Sequence, residues 1–202
     1  MKKVLLVTDG FFHPSLLARK ALRNRLSKLE GYTFTQIRSL EKLPADLDSY
    51  AALVIYVHHK RISKTALAKL DSFVAAGGGL LGIHTATASF KKEANYFKIL
   101  GGRFTGHGPV EKFSITPEGR TDVFRDISAF DVVDELYIHE LQSEIEVHFI
   151  AIHKGEKIPV VWTYSYGDGR VVYAVPGHTT ETIKNNTYQK LLEQGLKWVT
   201  NG

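Results

Sequence analysis

The sequence predicts an α/β protein: an open, mostly parallel sheet in three layers, with an antiparallel hairpin at its edge. Three features carry this expectation. Near-continuous apolar runs at residues 3–8, 50–57 and 80–83 have the texture of strands covered on both faces. Between them lie segments with apolar side chains at three-to-four spacing, as in helices that cross over between parallel strands. The 202 residues are enough for one large domain with a substantial core.

The elements follow in order. Residues 3–8 form the first strand, which ends in a turn at Asp9-Gly10. A helix then begins with Pro14 in its first turn, carries Ala18, Ala21, Leu22, Leu26 and Leu29 on one face, and is closed by Gly31. Residues 32–37 alternate as a second strand, and 50–57 make the third. Ser63 suits the N-cap of a helix with Ala66, Leu67, Leu70, Phe73 and Val74 facing inward. Three glycines at 77–79 end it and launch the strand at 80–83. This β-α-β-β-α-β order is that of a doubly wound sheet. The second half reads as strands at 110–116, 145–152, 159–166 and 170–175. The last two are joined by the turn at 166–170, hence a hairpin. A closing helix over 187–199 buries Tyr188, Leu191, Leu192, Gly195, Trp198 and Val199. With no repeat and no linker, residues 1–202 are expected to form a single domain.

Composition removes several functions. There is no cysteine, so disulfides, thiolate metal sites and cysteine nucleophiles are all excluded. Only four apolar residues follow Lys3 before Thr8, too few for a signal-peptide core, and no run approaches membrane-spanning length. A cytoplasmic protein without a membrane partner is expected. The net charge is +5, but the bases are scattered: Arg19, Lys20, Arg23, Arg25 and Lys28 share one helix, Lys60, Arg61 and Lys64 a turn, and Lys91 and Lys92 another. That is the pattern of solvated faces, not of a nucleic-acid footprint, though it leaves a modest pull on anionic substrates.

In open parallel sheets, ligands bind beyond the carboxyl ends of the strands. Asp9 and His13 follow the first predicted strand, His58 and His59 the third, His84 the fourth and His178 the last, so five of nine histidines stand at strand exits. Imidazole is suited to proton transfer near neutral pH and to metal ligation. His84 lies between small residues, as at a sharp strand-to-helix elbow; the bland alternative is a helix cap. His178 sits between Gly177 and Thr179, leaving room for a ligand. Four glycines surround His107, so its backbone is expected to approach a ligand or merely a neighbouring strand. Of His58 and His59, at most one enters a cleft. In the apolar setting of residues 131–137, Glu135 is preferred for the cleft, with Asp134 capping backbone. Asp9, Phe12, His13 and Tyr137 are candidate substrate contacts, against the alternatives of an Asx turn for Asp9, an N-cap for His13 and core packing for the aromatics Phe11, Phe12, Tyr137 and Trp162. His139, His148 and His153 read as surface or strand positions outside the site.

Residues 77–84 (GGGLLGIH) resemble the elbow strand of class I glutamine amidotransferases, and 175–178 (VPGH) with Glu181 resemble their later histidine-bearing strand. His84 replaces the nucleophilic cysteine, so glutaminase chemistry is excluded. A fuller resemblance is to the ThuA-like family, named for trehalose utilisation, which shares that fold without the cysteine. It is carried by 77–84, LGGRFTGHGP at 100–109, DELY at 134–137, 159–178 and LLEQGLKW at 191–198. The resemblance implies a flavodoxin-like domain and a role in disaccharide or keto-sugar metabolism. It points to His84, His107, Glu135 and His178 as the recurrent polar positions. The expected function is acid/base chemistry on a carbohydrate substrate, with or without a divalent metal such as zinc on His84, Glu135 and His178, although no HExxH-type spacing supports the metal. The alternative is a non-catalytic carbohydrate-binding or regulatory module. A homo-oligomer stays open.

Overall fold

The computed structural model describes residues 1–9, 14–119, 121–142 and 144–201. Nine strands and five α-helices follow in order: β1 (Lys2–Asp9), α1 (Leu16–Leu26), β2 (Tyr32–Ile37), β3 (Ala52–Val57), α2 (Lys64–Ala75), β4 (Gly79–Ile83), α3 (Ala94–Leu100), β5 (Gly102–Pro117), β6 (Phe130–Leu141), β7 (Glu146–His153), β8 (Glu156–Tyr166), β9 (Gly169–Ala174), α4 (Thr180–Lys184) and α5 (Asn186–Val199). The strands form one sheet in the order β2-β1-β3-β4-β9-β8-β7-β5-β6.

The expectation of a mostly parallel sheet holds for one half only. The pairings β2-β1, β1-β3, β3-β4 and β4-β9 are parallel, and those from β9 through β8, β7 and β5 to β6 are antiparallel. The sheet is therefore mixed. The hairpin of β8 and β9 lies in its middle, because β9 also pairs with β4. The edge is instead a long β5–β6 ribbon, joined to β7 at its end through Thr116, Pro117 and the Glu118 amide, which donates to the His148 carbonyl.

The parallel half is built as its sequence dictates. Every residue of β3 and β4 is buried, which is why both read as apolar runs. The Ser63 hydroxyl caps α2 by accepting from the Ala66 amide at 3.1 Å, and the five residues expected on its inner face are buried. In α1 the cap is Ser15, with Pro14 just outside the helix. α5 packs on β4 and β9, α4 lies against α1 and α5, and α2 and α3 touch each other and β9. Trp198 is only partly buried: the Arg170 guanidinium lies 5.2 Å over its ring. Three elements were not expected as regular structure, α3, β6 and the short α4. No helix among the described residues is long and apolar enough to cross a membrane.

Candidate functional site

The parallel strands β1, β3, β4 and β9 bring their carboxyl ends to one rim, where Asp9, His58, His59, His84 and the 175–179 segment emerge. At the end of β4 the chain turns sharply. His84 has φ +44, a left-handed conformation uncommon for a residue with a Cβ, and opens a 3-10 turn to Ala86. This is the elbow that the small residues around it imply. Its imidazole is wholly buried. Nδ1 lies 2.8 Å from the Val175 carbonyl, which only accepts, so Nδ1 carries a proton and Nε2 is the ring atom left to take or give one.

That nitrogen faces a carboxylate. Nε2 is 3.7 Å from Glu135 Oε2 and has no hydrogen-bond partner among the described residues. His178 approaches the same oxygen, its Nδ1 at 3.1 Å, and His107 Nδ1 lies 3.7 Å from Oε1. Burial pushes the Glu135 carboxyl up, but the contact with His84 and the charges of His178, His107 and His84 outweigh it and hold the group below its ordinary value. Glu135 is therefore an ionised base under three imidazoles. A proton on Nε2, or a bound cation, would bridge the two groups.

The support beneath His178 comes from Asp134. Fully buried, it accepts from the amides of Gly177 at 3.2 Å and His178 at 2.9 Å through Oδ1, and of Thr179 at 3.1 Å through Oδ2. The hydroxyls of Tyr56 and Tyr188 donate to the carbonyls of Gly177 and Pro176. Asp134 thus caps local backbone, accepting from the Glu135 amide at 3.0 Å, and backbone distant in sequence as well. Gly177 must be glycine: its φ is +150, and an added Cβ would stand 2.9 Å from His84 Cβ.

β6 delivers the rest. Glu135, Tyr137 and His139 alternate onto one face of it. Opposite them in register lie Val110, His107 and Phe104 of β5, and a bulge between Phe104 and Gly106 keeps Phe104 and His107 on that same face. The glycines around His107 therefore divide. A Cβ on Gly106 would meet nothing and one on Gly108 only the end of Glu111, so these two belong to the bulged stretch; Gly101 and Gly102 are the ones crowded, by Tyr164 and Trp162. The Tyr137 ring lies 4.0 Å from that of His84 and 4.5 Å from that of Phe104.

His139, placed outside the site on sequence grounds, underlies it. Tyr173 donates to the His84 carbonyl at 2.6 Å, Thr87 Oγ1 lies 2.6 Å from that phenol oxygen, and His139 Nε2 lies 2.9 Å from Thr87. The proton order that satisfies these three short contacts runs from His139 Nε2–H to Thr87, to Tyr173, to the elbow carbonyl, leaving the longer 3.4 Å approach of Thr87 to that carbonyl unused. Burial, reinforced by the charge of His84, pushes the His139 pKa down to about 3, so the ring is neutral. Its signal was the period of two from Glu135 and Tyr137, visible only once 130–141 is read as a strand.

Other expected residues stand apart or aside. Asp9 pairs with His59 at 3.4 Å and Arg19 at 3.7 Å and does not line the cavity at Glu135. His58 lines that cavity and His59 does not. Phe12 and His13 lie outside the described residues, as does Phe11. Trp162 is core, stacked on Tyr173 at 4.5 Å. His148 is buried against Thr163, and His153 ends β7. The cavity holds about 130 Å³ and is lined by His58, Ala88, Lys91, Phe104, His107, Glu135 and Tyr137. A larger trough of about 660 Å³, lined by Leu47, Tyr50, Lys69 and Phe73 among others, gathers no histidine. The cluster also sits away from the β1–β3 crevice where strand order reverses; it lies at β4–β9, where parallel pairing gives way to antiparallel.

Similarity to known proteins agrees with this architecture. A ThuA-like protein from Parabacteroides merdae matches with TM-score 0.86 at 18% identity, covering 100% of this chain and 90% of that one. Another from Bacteroides uniformis gives 0.80 at 19%, covering 98% and 91%. A cytoplasmic protein from Salmonella typhimurium gives 0.72 at 14%, covering 98% and 99%. At these identities the likeness is one of fold. No curated protein matches the chain in sequence. The model of the ThuA family, described as trehalose utilisation, matches residues 3–199, which takes in the elbow, the β5–β6 ribbon and the segment after β9; the chain belongs to that family.

Proposed function

We propose that the protein is an enzyme of sugar metabolism that moves protons on a disaccharide or keto-sugar, with His84, Glu135 and His178 as its working groups and His107 at the mouth. The observation that carries this reading is convergence: one ligand atom each from His84, Glu135 and His178 lies within 4.8 Å of the others. Ionised Glu135 is the base, and His84 through Nε2 and His178 are the groups that take up or return a proton. Removal of a proton beside a carbonyl, as in isomerisation or β-elimination, needs that combination. The faces of Tyr137 and Phe104 offer stacking surface for a sugar ring.

The same three groups fit a divalent metal such as zinc, since two imidazole nitrogens and a carboxylate form a recognised donor set. The Nδ1–H bond from His84 to Val175 is the outer support such a ligand uses. When bound, the ion would polarise a sugar carbonyl or acidify a water. A carbohydrate partner, a cytoplasmic setting and a three-layer, flavodoxin-like arrangement, with α1, α4 and α5 grouped apart from α2 and α3, belong to the same proposal.

The test is turnover of glycosides and their keto derivatives, with chelator and with added zinc or manganese. Glu135→Gln and His178→Ala are each expected to lower turnover at least 100-fold while leaving the circular dichroism of the fold intact. Binding of sugars without turnover by the unaltered protein would replace the enzyme reading with the carbohydrate-binding module. Elemental analysis of the purified protein decides the metal.

A further inference from the structure

We propose that the cavity selects a sugar bearing an anionic group, carboxylate or phosphate, and that Lys91 is the residue that selects it. The inference rests on the sugar reading above and names the substrate class within it.

Among the residues that line the cavity, Lys91 is the permanent cation and Glu135 the carboxylate. That carboxylate is already met by His84, His107 and His178. Lys91 enters no ion pair with a carboxylate among the described residues. Its side chain is exposed but has one contact that places it. Its ammonium stands 4.9 Å from the centroid of the Phe104 ring, and that ring packs on Tyr137, the aromatic wall beside His84. The cation thus stands at the cavity that Glu135 lines, over Phe104 and next to the Tyr137 ring left for the sugar.

A solvated lysine elsewhere needs no partner, but here desolvation on ligand entry would leave an unmatched charge unless the ligand supplies one. An ammonium accepts either anion as a point charge through three donors, so its chemistry is shared by uronates and sugar phosphates. The volume of about 130 Å³ is well below that of a drug-sized site, which favours a single sugar unit with its charged group at the rim.

Calorimetric titration of the full chain with glucose, glucuronate, glucose 6-phosphate and inorganic phosphate tests this. Glucuronate or glucose 6-phosphate is expected to bind roughly tenfold or more tightly than glucose, and whichever wins names the anion. Lys91→Gln should weaken the charged sugar by roughly 10- to 100-fold and leave glucose unchanged, Lys91→Arg should restore most of the preference, and Lys92→Gln, next door but outside the cavity, should keep it. Equal affinity for glucose and both charged sugars overturns the inference and leaves the sugar reading standing. So does an equal loss for all sugars in Lys91→Gln, which makes Lys91 a packing residue only. Inorganic phosphate binding as tightly as glucose 6-phosphate overturns it too, as a general anion site. If no sugar binds, charged or neutral, the inference falls together with the reading beneath it.

Discussion

His139 shows how much a single side chain can hide. Its ring is kept neutral by burial, with a pKa near 3, and it stands at the head of the relay that ends on the His84 carbonyl. In the unfolded chain a histidine takes up its proton near pH 6.5, so between that value and about 3 the unfolded state binds more protons and falling pH favours unfolding. Urea unfolding at pH 7 and pH 4.5 should show a loss of about 2 kcal/mol from this group, which His139→Phe removes from the difference. An unchanged pH dependence in that variant would dismiss His139 as the source. The lowered Glu135 carboxyl adds to the same acid sensitivity, since its contribution is present above its unfolded value and lost as pH falls through the folded one. Residues of this kind are hard to read from sequence. His84, Glu135 and His178 were legible because each follows a strand exit or sits beside an acid in an apolar run; the role of His139 depends on Thr87 and Tyr173, which nothing local connects to it.

Among the elements, the elbow and the segment after β9 are one device. Gly177 closes on His84 so tightly that Gly177→Ala would force a Cβ to 2.9 Å from its neighbour in a backbone conformation that L side chains avoid. We expect a loss of about 1–3 kcal/mol in stability and a displaced His84, seen as a shift of its imidazole NMR signals. Asp134→Asn sets an amide where three backbone N–H groups of 177–179 require an acceptor, and it should cost about 2–4 kcal/mol, read as a lower urea midpoint. The elements themselves were unevenly legible. β3 and β4 are buried on both faces and announce themselves as apolar runs. β6 carries Asp131, Asp134, Glu135, His139 and Glu140 in twelve residues, so its alternation is spoiled by the acids that give it a purpose. α3 is only seven residues long and buries four of them, too short for a helical period to show.

For the molecule as a whole, the mixed sheet explains why the site forms where it does. The parallel half supplies His84 and His178 from adjacent strands, and the antiparallel ribbon carries Glu135 back to them, with β6 reaching α4 and β8. A ligand touching all three groups therefore ties distant parts of the chain together. At a hundred times its dissociation constant it should add about 2.7 kcal/mol and raise the melting temperature by about 5–10 °C, measurable by thermal shift; Glu135→Gln should abolish most of that rise. The parallel half could be laid out from sequence because crossover helices and buried strands have distinct periods. The antiparallel half could not, since bulges in β5 break the count that alternation relies on, and nothing in the β8–β9 turn says that the hairpin will lie in the middle of the sheet rather than at its rim.

Asp134 and Glu135 are consecutive yet serve opposite faces of β6, one clasping buried amides and the other facing the imidazoles. Inserting one residue ahead of them would interchange their directions while leaving composition and charge almost untouched. The shorter acid would then fall a methylene short of the histidines, and the longer would land in the place of buried Leu136, leaving the amides of 177–179 without their acceptor. Variation along this ribbon is thus far freer in the identity of its outward side chains than in its length.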